Sequence, residues 1–350
     1  METNLAHDTG GALAMEVSLE TWPMKSPFRI TGFTFHEIPL VVVTLRQGGF
    51  TARGEACGVF YLDDTPEGIV AQLEELRPDI EAGLTREALQ ARVPAGGARN
   101  ALDCAMWELE SRKSGTPVWK LAGLEEPKPL LTTFTLGADE PDVMGKRAAE
   151  IPYARALKLK LTGDGADAAR VSAVRKARPD VWLGVDGNQG FDRASLEKLI
   201  PHMVGNDVAL VEQPCRRGDE ESLAGLDAPM PLAADESALT LADIAPLKSL
   251  FDVINIKLDK CGGLTEGLAM AREARRLGLD VMVGNMMGTS WSAAPSFLVG
   301  QLCDVVDLDG PWLLAADRDP GVVYQNGYVE CPPGVWGGPP SQTPTPGTAP

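Results

Sequence analysis

The sequence predicts an α/β protein: a barrel of eight strands with a separate α+β unit ahead of it. Three observations carry that expectation. From about residue 130, short apolar runs alternate with helical segments at nearly fixed spacing, the pattern of parallel strands joined by helical crossovers. The runs are Leu131–Leu136, Ala156–Leu161, Val181–Asp186, Val208–Glu212, Pro231–Asp235, Asp252–Lys257, Asp280–Gly284 and Asp304–Asp309, eight units within about 180 residues, which suits a closed ring. Ahead of them strands precede helices instead of alternating, which marks a segregated α+β unit. An open doubly wound sheet is the alternative, and no G-x-G-x-x-G follows a strand to support it.

Along the chain, residues 1–14 are polar and Gly-containing and are expected to be disordered. Residues 15 to about 60 read as strands and turns, with the apolar run Leu40-Val41-Val42-Val43. Thr65-Pro66-Glu67 is a helix start, an N-cap followed by Pro at the first helical position. Ile69, Val70, Leu73 and Leu76 then fall on one face. A second helix over about 97–113 places Ala101, Leu102, Ala105, Met106 and Leu109 together, and Gly115 stops it. The α+β unit is thus expected over 15–128 and the barrel over 129–316. Pro332 to Pro350 is rich in Pro, Gly, Thr and Ser. It reads as a flexible tail, with an interaction segment as the other reading.

Composition narrows the function classes. A net charge of −17 without basic clusters disfavours nucleic acid and anionic membranes as partners. No run of 18 apolar residues exists to span a bilayer. The N-terminus carries Glu2 and Asp8 and no apolar core of a signal peptide. Six scattered cysteines form no C-x-x-C, which suits reduced thiols and a cytoplasmic location. The three histidines are far apart, so a His-rich zinc site is disfavoured. Any metal would take oxygen ligands, as Mg²⁺ or Mn²⁺ does.

Barrel active sites lie at the C-terminal ends of the strands, and charged residues recur there. Lys160, Asp186, Glu212, Asp235 and Lys260 follow one another at intervals of 26, 26, 23 and 25 residues. Asp186, Glu212 and Asp235 end three adjacent strands. Three carboxylates at one mouth repel unless a cation neutralises them, and oxygen-only ligation suits Mg²⁺. Each acid alone reads equally well as a helix N-cap.

Lys160 and Lys260 belong to the second and sixth strands of eight, so they face each other across the mouth with the acids on the arc between. A substrate carboxylate on the metal would present its α-carbon to both. One lysine can take a proton from one face while the other delivers one to the opposite face, inverting the centre. A salt bridge to a neighbouring acid is the competing fate of each lysine. A lysine base must be neutral, which near pH 7 needs a pKa depression of roughly 3 units, about 4 kcal/mol. Mg²⁺, Lys158 and Lys257 are expected to supply the positive field. Lys158 and Lys160 point to the same side of their strand, so Lys158 can also reach a substrate carboxylate. Asp307 and Asp309, likewise on one side of the eighth strand, suit an α-ammonium. Solvated acids or partners for Lys158 are the other readings of that pair. A carboxylate at one end and an ammonium at the other describe an amino acid or a dipeptide, and a dipeptide spans the gap better.

These segments resemble the enolase superfamily, in its muconate-lactonizing subgroup, and within it the dipeptide epimerases of the L-Ala-D/L-Glu type. The matching stretches are Leu157-Lys158-Leu159-Lys160, Val185-Asp186-Gly187-Asn188, Val211-Glu212-Gln213-Pro214, Ala234-Asp235-Glu236-Ser237, Ile256–Gly263 and Asn100–Leu109. The resemblance implies a modified (β/α)₇β barrel with an α+β capping domain, completed by a C-terminal segment over about 317–335 and leaving 336–350 as the tail. It implies Mg²⁺, replaceable by Mn²⁺, on Asp186, Glu212 and Asp235. It implies acid/base roles for Lys160 and Lys260 through a metal-stabilised enediolate, a pattern described for this superfamily. Asp307 and Asp309 match the pair that holds the substrate ammonium, and Thr135 and the backbone near Asn285-Met286 match substrate-lining positions. The expected partner is a small dipeptide, and a homo-oligomer is compatible. One departure stands out. Acidic-dipeptide epimerases carry an arginine in the capping loop, where this chain reads Thr31-Gly32-Phe33-Thr34-Phe35-His36. The second residue is left open between acidic and apolar. Rival activities on the same barrel are N-acyl amino acid racemase and cycloisomerase. Neither needs to bind an ammonium, which Asp307 and Asp309 would explain. An acid-sugar dehydratase would enlist a histidine at a strand end, and none lies there.

Overall fold

The computed structural model describes residues 11–30 and 32–338. The expectations for residues 1–10 and for the tail from Pro339 onward lie outside the described residues, as does Thr31. Strands β1 (Ala14–Ile30), β2 (Phe33–Gln47) and β3 (Phe50–Ala56) form an antiparallel meander with β2 central. The run Leu40–Val43 is wholly buried in β2. Its inner side chains pack with those of the helices Pro66–Glu81 and Gly97–Ser114 in a core of their own. Thr65 caps the first of these, its hydroxyl accepting from Gly68 N at 3.1 Å, and Pro66 opens it. Gly115, in the left-handed region, closes the second.

The remaining strands are β4 (Leu130–Leu131), β5 (Phe134–Leu136), β6 (Ala156–Lys160), β7 (Trp182–Asp186), β8 (Leu210–Glu212), β9 (Leu232–Ala234), β10 (Val253–Ile256), β11 (Asp280–Gly284), β12 (Val305–Asp307), β13 (Val323–Gln325) and β14 (Tyr328–Glu330). Strands β5 to β12 make one parallel sheet in sequence order. Its two edges meet at a seam. There Thr133 N donates to Val306 O at 3.0 Å, and Leu308 N donates to the Thr132 hydroxyl at 2.9 Å. This is a nearly closed barrel. Outward residues such as Leu157, Leu159, Leu183 and Val185 pack beneath the helices. Inward ones from the lower strand ends (Leu210, Ala233, Val253 and Met282, with Trp182 and Val305) plug the N-terminal end. An added Cβ at Gly184 would sit 2.7 Å from the Trp182 ring, so glycine there makes room for the plug.

The structure differs from the expected elements in four places. The run Leu131–Leu136 is two strands: β4 pairs with β14 and β5 enters the barrel. The chain changes partners at Thr132, whose N–H donates to Gly327 O and whose hydroxyl reaches the seam. The crossover between β8 and β9 holds only one turn, Glu220–Leu223, not a full helix. The helix Gly97–Ser114 is buried on its polar face too, because Arg99, Asn100 and Asp103 meet β3 and the barrel. The C-terminal segment stays packed beyond residue 335: Trp336 is buried and its indole N–H donates to Arg53 O at 2.8 Å, while Gly337 O accepts from Val118 N at 2.8 Å. No helix of the described residues is long and apolar enough to cross a membrane, and all six cysteines are free thiols.

Candidate active site

Parallel pairing sets the level of each functional side chain. Thr135 pairs with Lys158, Lys160 with Asp186, and Asp186 with Glu212. The near-constant sequence interval is therefore a register, and it delivers one polar group per strand to the same rim. Asp186, Glu212 and Asp235 are buried, and each offers an oxygen such that all three lie within 4.8 Å of one another. Among the described residues this is the one group that could hold a metal ion.

The two lysines stand at opposite ends of this triad. Lys160 Nζ is 2.5 Å from Asp186 Oδ2, and Lys260 Nζ is 2.6 Å from Asp235 Oδ1 and 3.1 Å from Asn255 O. Lys260 does not sit on the strand, as expected from the sequence, but on the four-residue helix Leu258–Cys261 that follows β10. Lys257, the last extended residue, takes Asp235 Oδ2 at 2.7 Å. The salt-bridge reading of each lysine thus holds in this structure, with the candidate metal ligands as the acids.

Lys158 and Lys257 were expected to lower the pKa of a lysine base through their positive field. Their charges are matched instead. Burial opposes the Lys158 ammonium, but Asp307, Glu212 and Asp186 hold its pKa above the ordinary value. Lys257 is held high against burial by Asp235, Glu212 and Asp186.

The carboxylates show the complementary strain. Burial, then the charge of Asp186, pushes Glu212 up to about 7. Burial, then Asp235 and Asp186, pushes Glu236 up to about 8. Asp235 is held below the carboxylate range: burial works against its charge, but Lys257 and Lys260 prevail. Six buried acids (Asp186, Glu212, Asp235, Glu236, Asp307 and Asp309) meet four buried lysines (Lys158, Lys160, Lys257 and Lys260), so the acids outnumber the cations by two. Among the described residues, the buried polar side-chain atoms without a hydrogen-bond partner include Tyr61 OH, Asn188 Oδ1, Glu236 Oε2, Asn255 Oδ1 and Asn285 Nδ2, all of residues of this site or its strands. A divalent cation on hard oxygen donors fits both that excess of acids and the unpartnered oxygens.

Asp307 and Asp309 part company. Asp307 bonds Lys158 and the Thr133 hydroxyl, so the reading of it as a partner for Lys158 is realised. Lys158 overrides the effect of burial and keeps Asp307 below its ordinary pKa. Asp309 accepts from Thr135 N at 2.6 Å, and burial, then the charge of Asp307, pushes it up to about 7. The expected substrate-binding set of Thr135, Lys158, Asp307 and Asp309 lines one small cavity of about 50 Å³, together with Lys160 and Asn285.

Sequence reasoning missed Asn255, whose Nδ2 donates to Glu212 Oε1 at 2.7 Å, and Asn188, whose N–H donates to Asp186 Oδ1 at 2.8 Å. The signal for Asn255 was present: it lies two residues before Lys257 on an apolar strand, the same inward alternation as Lys158 and Lys160.

Two known family models match the two parts of the chain. Residues 144–335 match the "Enolase C-terminal domain-like" family, and residues 13–123 match the "Mandelate racemase / muconate lactonizing enzyme, N-terminal domain". The chain belongs to the enolase superfamily. Its relatives are named as epimerases and racemases, and it is an isomerase. It is 36% identical over 316 residues to the L-Ala-D/L-Glu epimerase of Escherichia coli (strain K12), covering 90% of this chain and 98% of that one. It is 38% identical over 311 residues to the N-acetyl-D-glutamate racemase of a Pseudoalteromonas species, covering 85% and 95%. Among solved structures, an enolase family member from Agrobacterium tumefaciens, described as homologous to dipeptide epimerases, superposes with a TM-score of 0.90 at 38% identity, covering 93% of this chain and 100% of that one; it was solved with bound sodium and L-Ala-L-Glu.

Proposed function

We propose that the protein is a Mg²⁺-dependent dipeptide epimerase. It inverts the α-carbon of a dipeptide's C-terminal residue by 1,1-proton transfer between Lys160 and Lys260. The observation that carries this reading is the bracketing of the acidic triad by those two ammonium groups, each within 2.6 Å of a different carboxylate at its ends. The similarity to the Escherichia coli epimerase points the same way.

Asp186, Glu212 and Asp235 would hold the metal. Bound there, it would supply positive charge to stabilise the negative charge that develops on the substrate carboxylate. Lys160 and Lys260 then face the α-carbon from opposite sides, one removing and the other returning a proton. Asp309 receives the substrate ammonium. Lys158, fixed by Asp307 and Glu212, presents a permanent cation beside the substrate carboxylate. Mn²⁺ is expected to replace Mg²⁺.

Chelation should abolish turnover and added Mg²⁺ should restore it. Lys160→Ala and Lys260→Ala should each stop epimerisation, followed by NMR in D₂O, while one enantiomer still exchanges its α-proton through the lysine that remains. Racemisation by both variants at the wild-type rate would remove the two-base assignment.

A second reading, N-acyl amino acid racemase, draws support from the engagement of Asp307 with Lys158, which leaves a single carboxylate for an ammonium. It also draws on the Pseudoalteromonas relative. Comparing kcat/KM for a free dipeptide and its N-acetyl derivative separates the two. The dipeptide reading requires a preference of about 10²-fold for the free amine.

A further inference from the structure

The two small cavities at the barrel mouth differ in character. The second, about 130 Å³, is roofed by the cap residues Phe28, Ile30, Phe33, Phe35, Phe60 and Tyr61 and reaches down to Lys160, Asp235 and Lys257. Phe60 centres the roof: its ring centroid lies 4.5 Å from that of Phe33 and 5.7 Å from that of Phe35, both edge-on. Phe33 is 48% exposed, beside the opening. For scale, a dry cavity of roughly 150 Å³ accepts benzene.

The roof offers a charged guest of either sign no partner: none of its described cap residues is an arginine, a lysine or a carboxylate. An anionic side chain would lose its water and meet Glu236 without gaining a free cation. A cationic side chain would gain from the ring faces but would lose its water without gaining a carboxylate of the roof. An uncharged ring or branched chain finds aromatic and aliphatic surface in the roof, and it covers the exposed ring of Phe33.

We infer that the side chain on the inverted carbon is uncharged and bulky, aromatic or branched aliphatic, and that Phe33, Phe35 and Phe60 select it. This rests on the proposed proton transfer at Lys160 and Lys260 but not on the nature of the amino-terminal group. The Mg²⁺-loaded full chain is given two series: L-Ala-L-Phe, L-Ala-L-Leu, L-Ala-L-Glu and L-Ala-L-Lys, and N-acetyl-L-Phe with N-acetyl-L-Glu. Epimerisation is read by NMR. L-Ala-L-Phe or L-Ala-L-Leu should exceed the Glu and Lys members at least tenfold in kcat/KM, chiefly through KM. Phe35→Arg should shift the ratio toward L-Ala-L-Glu by at least tenfold. Phe33→Ala should raise KM for L-Ala-L-Phe more than for L-Ala-L-Ala. A Glu or Lys member turned over as well as the Phe member overturns the inference and leaves the epimerase reading standing. If only the N-acetyl series reacts and Phe exceeds Glu, the inference stands and the dipeptide reading falls. If N-acetyl-L-Glu is preferred, or neither series reacts, both fall.

Discussion

Asp307 and Asp309 carry the same functional group two residues apart, yet their surroundings give them different work. Asp307 is spent on Lys158 and Thr133. Asp309 has one backbone donor and a carboxyl pushed up to about 7, largely by burial, so an arriving ammonium would complete its environment. Asp309→Asn should therefore cut kcat/KM for free dipeptides by roughly 10²-fold and leave N-acetyl analogues almost unchanged, measured side by side. Asp307→Asn should depress both substrates, because it strands the buried Lys158 ammonium. Equal losses for the two substrate classes in Asp309→Asn would remove it from ammonium binding. The triad and the lysines were legible in the sequence because each is a charged residue closing an apolar run at a fixed interval. Tyr61 and Asn188 were not, because a neutral polar residue in a loop carries no such contrast with its neighbours, whereas Asn255 stands out on its apolar strand. The pairing of Asp307 with Lys158 depends on closure of the seam between β12 and β5, which no local pattern encodes.

Among the elements, the short helix Leu258–Cys261 joins chemistry to architecture. It carries Lys260 into the site and, one residue earlier, Asp259 into the cap. Asp259 Oδ1 accepts from Cys57 N at 2.9 Å and Gly58 N at 3.1 Å, fixing the loop that leads to Phe60 and Tyr61. Burial outweighs those two donors, and the charges of Asp64 and Glu55 add to it, so Asp259 is pushed up to about 7. Its unfolded value lies near 3.9. The folded state thus binds a proton that the unfolded state releases, and this group's contribution to stability falls as pH rises from about 4 to 7. Asp259→Asn keeps an acceptor for both N–H groups and removes the titration. Relative to the variant, the wild type should lose stability over that window, by a few kcal/mol at most. Denaturant unfolding of the metal-free proteins at pH 4.5 and 7.5 reads the difference, and parallel pH profiles would assign the titration elsewhere. The turn's glycines serve the same junction. Gly263 has φ +113° and an added Cβ would lie 2.6 Å from Asp103, so the cap helix can approach only because nothing projects there. The sequence shows the motif, but not that its neighbour belongs to another domain.

At the scale of the molecule, catalysis and selection are divided between domains. The triad and both lysines belong to the barrel, while the aromatic roof belongs to the cap. The docking of one on the other therefore sets how well substrate is enclosed, and Arg99 is central to it. It is buried in the cap helix Gly97–Ser114 and reaches the barrel at Cys261 O (2.6 Å), Gly262 O (3.2 Å) and Glu266 (2.7 Å), while also bonding Val93 O within the cap. Removing such a buried charged partner costs about 3–5 kcal/mol. Arg99→Met keeps much of the side chain's bulk and abolishes the bonds. It should lower the thermal midpoint by several degrees and raise KM for dipeptides at least several-fold. Mg²⁺ affinity, measured by calorimetry on the same protein, should stay near wild type, because no candidate ligand belongs to the cap. An equal fall in metal affinity would mean that the barrel rim itself depends on the cap, and the division of labour between the two domains would not stand.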